Sequence, residues 1–208
     1  MSTLTPLNDA NFTLPLPIYE AVALGSLQSK DGEQFLMIVG LSKDVVAQLK
    51  EKSLDKSDEE LQNNTSDYQR FGEGSYEEWY SKNRTPFALI HAKMGQLAAL
   101  VWFGPKPLGR QSLKYLSEEE RAKELLQKED VWHTLVYRSY MPYRGKGVMG
   151  DFVRFCIEKY KEKYPEAKLW TGMSANNAAS AGLSARLGFK RRDDLFDVEK
   201  NWVAMVLE

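Results

Sequence analysis

The chain has 208 residues, of which 43% are hydrophobic, 27% charged and 12% aromatic, enough to bury a substantial core in one large domain. A formal net charge of −1 removes any global electrostatic case for nucleic acid, and no apolar run reaches membrane-spanning length. The opening Met1-Ser-Thr-Leu-Thr-Pro lacks the charged-then-apolar order of a signal peptide, and one cysteine excludes an intramolecular disulfide; both point to a reducing cytoplasm.

Prolines at 6, 15 and 17 leave the first 33 residues with mixed signals and a strand candidate at Ile18 to Leu27. Gln34 to Leu41 reads as a strand. Ser42 then caps a helix over Lys43 to Lys52, with Val45, Val46 and Leu49 on one face. Residues 52–75 are polar and carry no clear pattern. Phe87 to Ala92 and Leu97 to Phe103 form a hairpin around Lys93-Met-Gly-Gln, closed by Gly104-Pro-Lys-Pro. Ser117 and Glu120 have capping-box spacing and open a helix over 118–128, within an insertion at 106–130.

Val131 to Tyr140 is β-branched and aromatic enough for a strand. It feeds Tyr143-Arg-Gly-Lys-Gly-Val-Met-Gly150. The glycines there can take positive φ and carry no Cβ to hold a ligand off, so backbone N–H groups can converge on one anion. Val148, Met149, Phe152, Val153, Cys156, Ile157 and Tyr160 then recur at helical spacing, which places a helix N-terminus at the glycines. Arg144 and Lys146 add full charges beside it. The spacing fits neither a Walker loop nor a dinucleotide fingerprint.

Pro165 stops that helix. Ala167 to Met173 reads as a strand, and Asn176 or Asn177 caps a helix ending at Gly188. Phe189 to Arg192 and Trp202 to Leu207 are two further strands. The order of elements predicts a mixed α/β domain around one sheet, with a ligand at the carboxyl end of the strand preceding the glycine turn.

Arg144 and Gly147, followed 33 residues after the arginine by Asn177-Ala-Ala-Ser-Ala-Gly-Leu-Ser-Ala-Arg-Leu-Gly-Phe189, resemble the two signature segments of the GNAT superfamily of N-acetyltransferases. The resemblance covers about residues 85–207, with 1–84 as an N-terminal extension. It implies a single domain with a mostly antiparallel twisted sheet, splayed between two parallel strands and flanked by helices. It also implies acetyl-CoA as co-substrate, touched by Ser139, Tyr140 and Met141 at the strand end, by Arg144, Gly145, Lys146, Gly147, Val148, Met149 and Gly150 in the loop, and by Asn177. Family habit adds a homodimer. Two departures stand out: Met149 replaces the usual Gly or Ala, and Ser184 replaces a tyrosine that protonates the leaving thiolate in many members.

Acetyl transfer to an amine needs an anchored CoA, a polarised carbonyl, a deprotonated amine and a proton for the sulfur. His133 is the candidate base, with Asp130 and Glu129 as alternatives at the same strand's entrance. Ser184, acting through water, and Tyr137 or Tyr140 are candidate acids. His91 reads as structural, Cys156 as a buried thiol, and Trp102, Trp132 and Trp170 as core or groove walls. Two distant histidines and one cysteine give no metal-ligand spacing, and Ser184 has no nucleophile-elbow pattern around it. Residues 53–82, the 106–130 insertion and the loop from Asp193 to Asn201 are expected to select the acceptor, a primary amine of a small molecule or peptide. The runners-up are an inactive acyl-CoA-binding protein of the same fold and a nucleotide-phosphate module of another α/β fold.

Overall fold

A computed structural model describes residues 2–7, 12–110, 119 and 131–207. Its strands are β1 (Thr3–Pro6), β2 (Ala21–Gln28), β3 (Gln34–Gly40), β4 (Thr85–His91), β5 (Leu97–Pro105), β6 (Trp132–Ser139), β7 (Lys168–Ser174), β8 (Lys190–Asp197) and β9 (Trp202–Leu207). They form a nine-stranded sheet in the order β1-β2-β3-β4-β5-β6-β7-β9-β8, antiparallel in its described pairings except for the parallel pair β6/β7. The helices are α1 (Lys43–Leu54), α2 (Glu59–Asn64), a π-helix (Tyr68–Gly72), α3 (Tyr76–Tyr80), α4 (Met149–Lys163) and α5 (Ala178–Arg186). None is long and apolar enough to cross a membrane. The mixed α/β sheet expected from the sequence is thus the observed architecture, whereas the helix over 118–128 and the candidates Glu129 and Asp130 lie outside the described residues.

Contacts divide the chain into two compact units, Met1–Phe103 with Val136–Pro165, and Gly104–Leu135 with Glu166–Glu208. In the first, β4 and β5 are almost entirely buried, as expected of strands covered on both faces. One face packs Ile38, Ala88, Ile90, Leu100 and Trp102 against Val45 and Leu49 of α1 and Phe71, Tyr76 and Trp79 further on. On the other, Phe103 stacks on Tyr160 of α4 with ring centroids 4.2 Å apart. Ser42 caps α1 by accepting from the Val45 N–H. Between residues 55 and 80 the chain makes three short helical segments, capped at α2 by Asp58 and at α3 by Ser75. Stretches of five or six residues are too short for an apolar period to show, which is why sequence patterning leaves this region blank.

In the second unit, β9 pairs with β7 and β8. Trp170, Ala204 and Val206 form its core, flanked by Leu108, Trp132, Leu195 and Trp202. β8 continues to Asp197 although the sequence predicts a strand only to Arg192, so half of the presumed Asp193–Asn201 loop is strand. Its pairing with β9 shifts register between Arg192 and Asp197, and that irregularity, with the charges of Arg191 to Asp194, hides the strand from pattern reading. Gly172 of β7 lies under an indole: a Cβ there would stand 2.2 Å from Trp202 Cζ2. Gly172→Ala is therefore expected to cost about 1–3 kcal/mol through overpacking, more than the backbone entropy it recovers. Urea unfolding measures the loss, and near-UV dichroism reports the displaced Trp202.

α5 shows why the segment ending in Leu-Gly-Phe has that form. The Asn177 side chain accepts from the Ser180 N–H at 3.0 Å and so caps the helix. At the far end Gly188 takes φ +92°, the Phe189 N–H donates to Ser184 O, and the Gly188 N–H donates to Ala185 O. This pair of bonds is a Schellman closure, which needs a residue able to adopt positive φ.

Candidate functional site

β6 ends at Ser139, and the chain reaches α4 through residues 140–148. Gly145 and Gly147 take φ of +82° and +74°, and a Cβ built on either meets nothing within 4 Å. Both glycines are exposed, so the loop presents its backbone to open space. Val148 stands at the N-cap of α4 with no side-chain cap hydrogen bond, so the N–H groups of Met149, Gly150 and Asp151 have no intrahelical acceptor. Met149 and Gly150 are the first two residues of the helix, not turn residues. A bulky side chain at 149 is compatible with helical geometry there, and the two positive-φ positions fall on glycine. The Asp151 carboxylate in this first turn accepts from the Ser2 hydroxyl and pairs with Arg154 at 3.4 Å.

The two loop cations are not free charges, contrary to the sequence expectation. Arg144 Nη2 lies 2.8 Å from Asp58 Oδ2 and Nη1 3.0 Å from Glu60 Oε2, and both Nε and Nη2 donate to Ser139 O. Lys146 Nζ lies 2.7 Å from Asp31 Oδ2 and 3.4 Å from Glu33 Oε1. The hydrogen bond from Lys146, assisted by Ser29, holds the Asp31 carboxyl down to about 2. Anion attraction at the loop rests accordingly on backbone N–H groups and the helix terminus, while Arg144 ties the loop to the end of β6.

The residues at that strand end face a second group of charges. Tyr140 is 1% exposed, and its hydroxyl has no hydrogen-bond partner among the described residues. Burial, reinforced by the nearby Asp67 carboxylate, pushes its phenol well above the ordinary tyrosine range. The Lys52 ammonium lies 5.6 Å from the Tyr140 ring centroid and donates to Met141 O at 3.2 Å. Burial lowers the Lys52 pKa, against the pull of Glu51, Asp55 and Asp58. Met141 itself is exposed.

Beneath Tyr140, the fully buried Asp67 accepts from Arg138 Nε at 2.7 Å and from Arg70 Nη1. Arg70 belongs to the π-helix, a form enriched at functional sites. Burial raises the Asp67 carboxyl, but Arg138 and Arg70 outweigh it and hold the group below its usual value. Both guanidiniums lie over Trp102, at 5.5 Å for Arg70 and 5.1 Å for Arg138.

In the second unit, His133 sits half-buried on β6 opposite Leu169, within the parallel pairing that joins Trp132–Thr134 to Lys168–Trp170. Asn177 caps α5, and Ser184, on the same helix, is 1% exposed. His91 is structural as expected: it stacks on Tyr143 at 5.0 Å, and its Nδ1 accepts from the Met94 N–H. Trp102 and Trp170 are core residues, and Cys156 is a fully buried thiol whose pKa burial pushes well up. Tyr137 is half-buried on β6.

Sequence reasoning missed Lys52, Asp58, Asp67, Arg70 and Arg138. Arg138 stood in a segment already assigned to the strand entering the loop. The others lie in the 52–75 region, where only the Asp58 cap before Glu59-Glu60 gave a local signal.

No protein-family model matches the chain, and no curated protein matches it. Solved structures do. An acetyltransferase from Agrobacterium tumefaciens str. C58 covers 95% of this chain and 98% of its own at 11% identity, with a TM-score of 0.56. The GNAT domain of S. lividans PAT covers 88% of this chain and 94% of its own at 13% identity, TM-score 0.54. A ribosomal-protein-S5-alanine acetyltransferase from Vibrio fischeri covers 82% and 92% at 13% identity, TM-score 0.50. With this element order, a glycine loop leading from strand β6 into α4, and these neighbours, the chain has the fold of the GNAT acetyltransferases.

Proposed function

We propose that the chain is an acetyl-CoA-dependent N-acetyltransferase acting on a primary amine of a small molecule or peptide. The observation that carries this reading is the positive-φ glycine pair Gly145 and Gly147, open where a side chain would project and set before a helix N-terminus without a side-chain cap. The chain residues fit a pyrophosphate: the N–H groups of residues 145–150 supply donors, and the positive end of α4 favours an anion. Arg144 holds the loop's shape through Ser139 and Asp58, and Lys146 flanks it. Ser139, Tyr140, Met141 and Asn177 are the remaining residues proposed to touch the cofactor.

Acetyl-CoA supplies an activated acyl group when bound. The chain orients it and manages protons. Burial keeps Tyr140 protonated, so its hydroxyl serves as a hydrogen-bond donor and not as an acid, and Ser184 is the proposed proton donor, acting through water. The acceptor named for the Vibrio fischeri neighbour, an alanine of a ribosomal protein, falls within the proposed class.

Thermal unfolding with and without acetyl-CoA tests the cofactor assignment. At one hundred times the dissociation constant, binding adds about 2.7 kcal/mol to stability, and no shift at saturating concentration would sink the proposal. Release of free CoA thiol against a panel of amino acids, peptide N-termini, polyamines and aminoglycosides tests turnover. Binding with silence across the panel would identify an acyl-CoA-binding protein of the same fold instead.

A further inference from the structure

Two guanidiniums, Arg70 and Arg138, share the single carboxylate of Asp67, so one formal positive charge is left uncompensated in this group among the described residues. Arg70 hydrogen-bonds Asp67 through Nη1 only, and its Nε and Nη2 have no hydrogen-bond partner among the described residues. Its side chain is 25% exposed, which gives those donors a route to solvent. The guanidinium lies within cation–π range of Trp102 at 5.5 Å and Phe71 at 5.7 Å. Within electrostatic reach of this group is the Tyr140 hydroxyl, buried and without a hydrogen-bond partner among the described residues, on the residue that follows strand β6. The Lys52 ammonium over the Tyr140 ring adds a second cation.

A buried hydroxyl without a partner is costly unless something satisfies it, and the partly exposed guanidinium keeps spare donors for a ligand. A carboxylate has the acceptor capacity for both, two parallel bonds from a guanidinium fork and one from a hydroxyl. A polyamine would meet like charge.

We propose that the acceptor carries a carboxylate beside its amine, as a free amino acid does, and that Arg70 and Tyr140 bind this carboxylate, with Arg138 and Asp67 positioning Arg70. The proposal rests on the acetyl-CoA reading, which places the acyl group at the same strand end.

The test compares L-amino acids with their α-amides and decarboxylated amines, read as CoA thiol release. Acids are expected to exceed the matched amides at least tenfold in kcat/KM. In Arg70→Gln the preference should disappear through KM, with acetyl-CoA affinity by calorimetry unchanged. Arg70→Lys, which keeps the charge and loses the fork, should recover part of it, and circular dichroism confirms that both variants fold. Equal use of acids and amides, or a polyamine preference, overturns the proposal. So does an Arg70→Gln variant that keeps the preference. A variant that instead loses acetyl-CoA affinity would assign the anion site to a cofactor phosphate, which also overturns it. Binding of N-acetyl-L-amino acids against N-acetyl-amino amides, measured without turnover, decides the matter if no amine is acetylated: equal binding overturns the proposal. Because this measurement needs no acetyl-CoA, its result is separable from failure of the cofactor reading.

Discussion

A Gly147→Trp variant is expected to lose acetyl-CoA binding, with affinity down by at least one hundredfold in calorimetry and no thermal shift at saturating ligand. The wild-type residue sits at φ +74° with nothing within 4 Å of where a Cβ would project, and that emptiness is the proposed phosphate cradle. An indole there occupies the space into which the loop N–H groups would bind an anion. The left-handed backbone adds a strain of about 1–2 kcal/mol for an L side chain, so lost binding has to be separated from lost folding. Gly95, at φ +64° in the β4/β5 turn and equally open, provides the control. Gly95→Trp carries comparable strain and should bind acetyl-CoA like the wild type. Unchanged affinity in Gly147→Trp would show that the loop does not hold the phosphates.

Asp67→Ala is expected to destabilise the fold by about 3–5 kcal/mol in urea unfolding, because it leaves Arg70 and Arg138 partly buried without their shared counter-charge. The pH dependence carries a second signature. Although burial alone would raise the Asp67 carboxyl, the two arginines depress it in the folded state. A depressed folded pKa contributes stability above the unfolded carboxylate value of about 3.9, and that stability is lost as pH falls through the lower folded value. Wild type should accordingly lose part of its stability below about pH 4. In Asp67→Asn that component should be absent, so the stability difference between the two narrows as pH falls. A difference constant from pH 7 to pH 3 would contradict the ionised triad.

Much of the site's frame was legible in the sequence because it is local. Positive-φ glycines followed by an apolar period of three and four specify a loop running into a helix, and α4 begins where that pattern begins. Asn177 at the start of α5 and Gly188 at its end follow from cap chemistry that involves only near neighbours. The hairpin of β4 and β5 is equally short-range. Local signals failed where elements were short or irregular: the helical turns between residues 55 and 80, and β8 beyond its register shift.

Torsional freedom and side-chain periodicity act within a few residues, and they were enough to read an α/β chain with a glycine loop between β6 and α4. The tertiary structure decided which charges matter. Arg144 meets Asp58 from 86 positions away, Lys146 meets Asp31 from 115, and Arg138 meets Asp67 from 71. Cations that read as phosphate ligands are thereby engaged by carboxylates. A polar stretch without a motif supplies Asp67 and Arg70, which leave one guanidinium charge uncompensated among the described residues, within electrostatic reach of the Tyr140 hydroxyl. Such pairings depend on Coulomb interaction and burial across the fold, and neither is encoded in the spacing of residues along the chain.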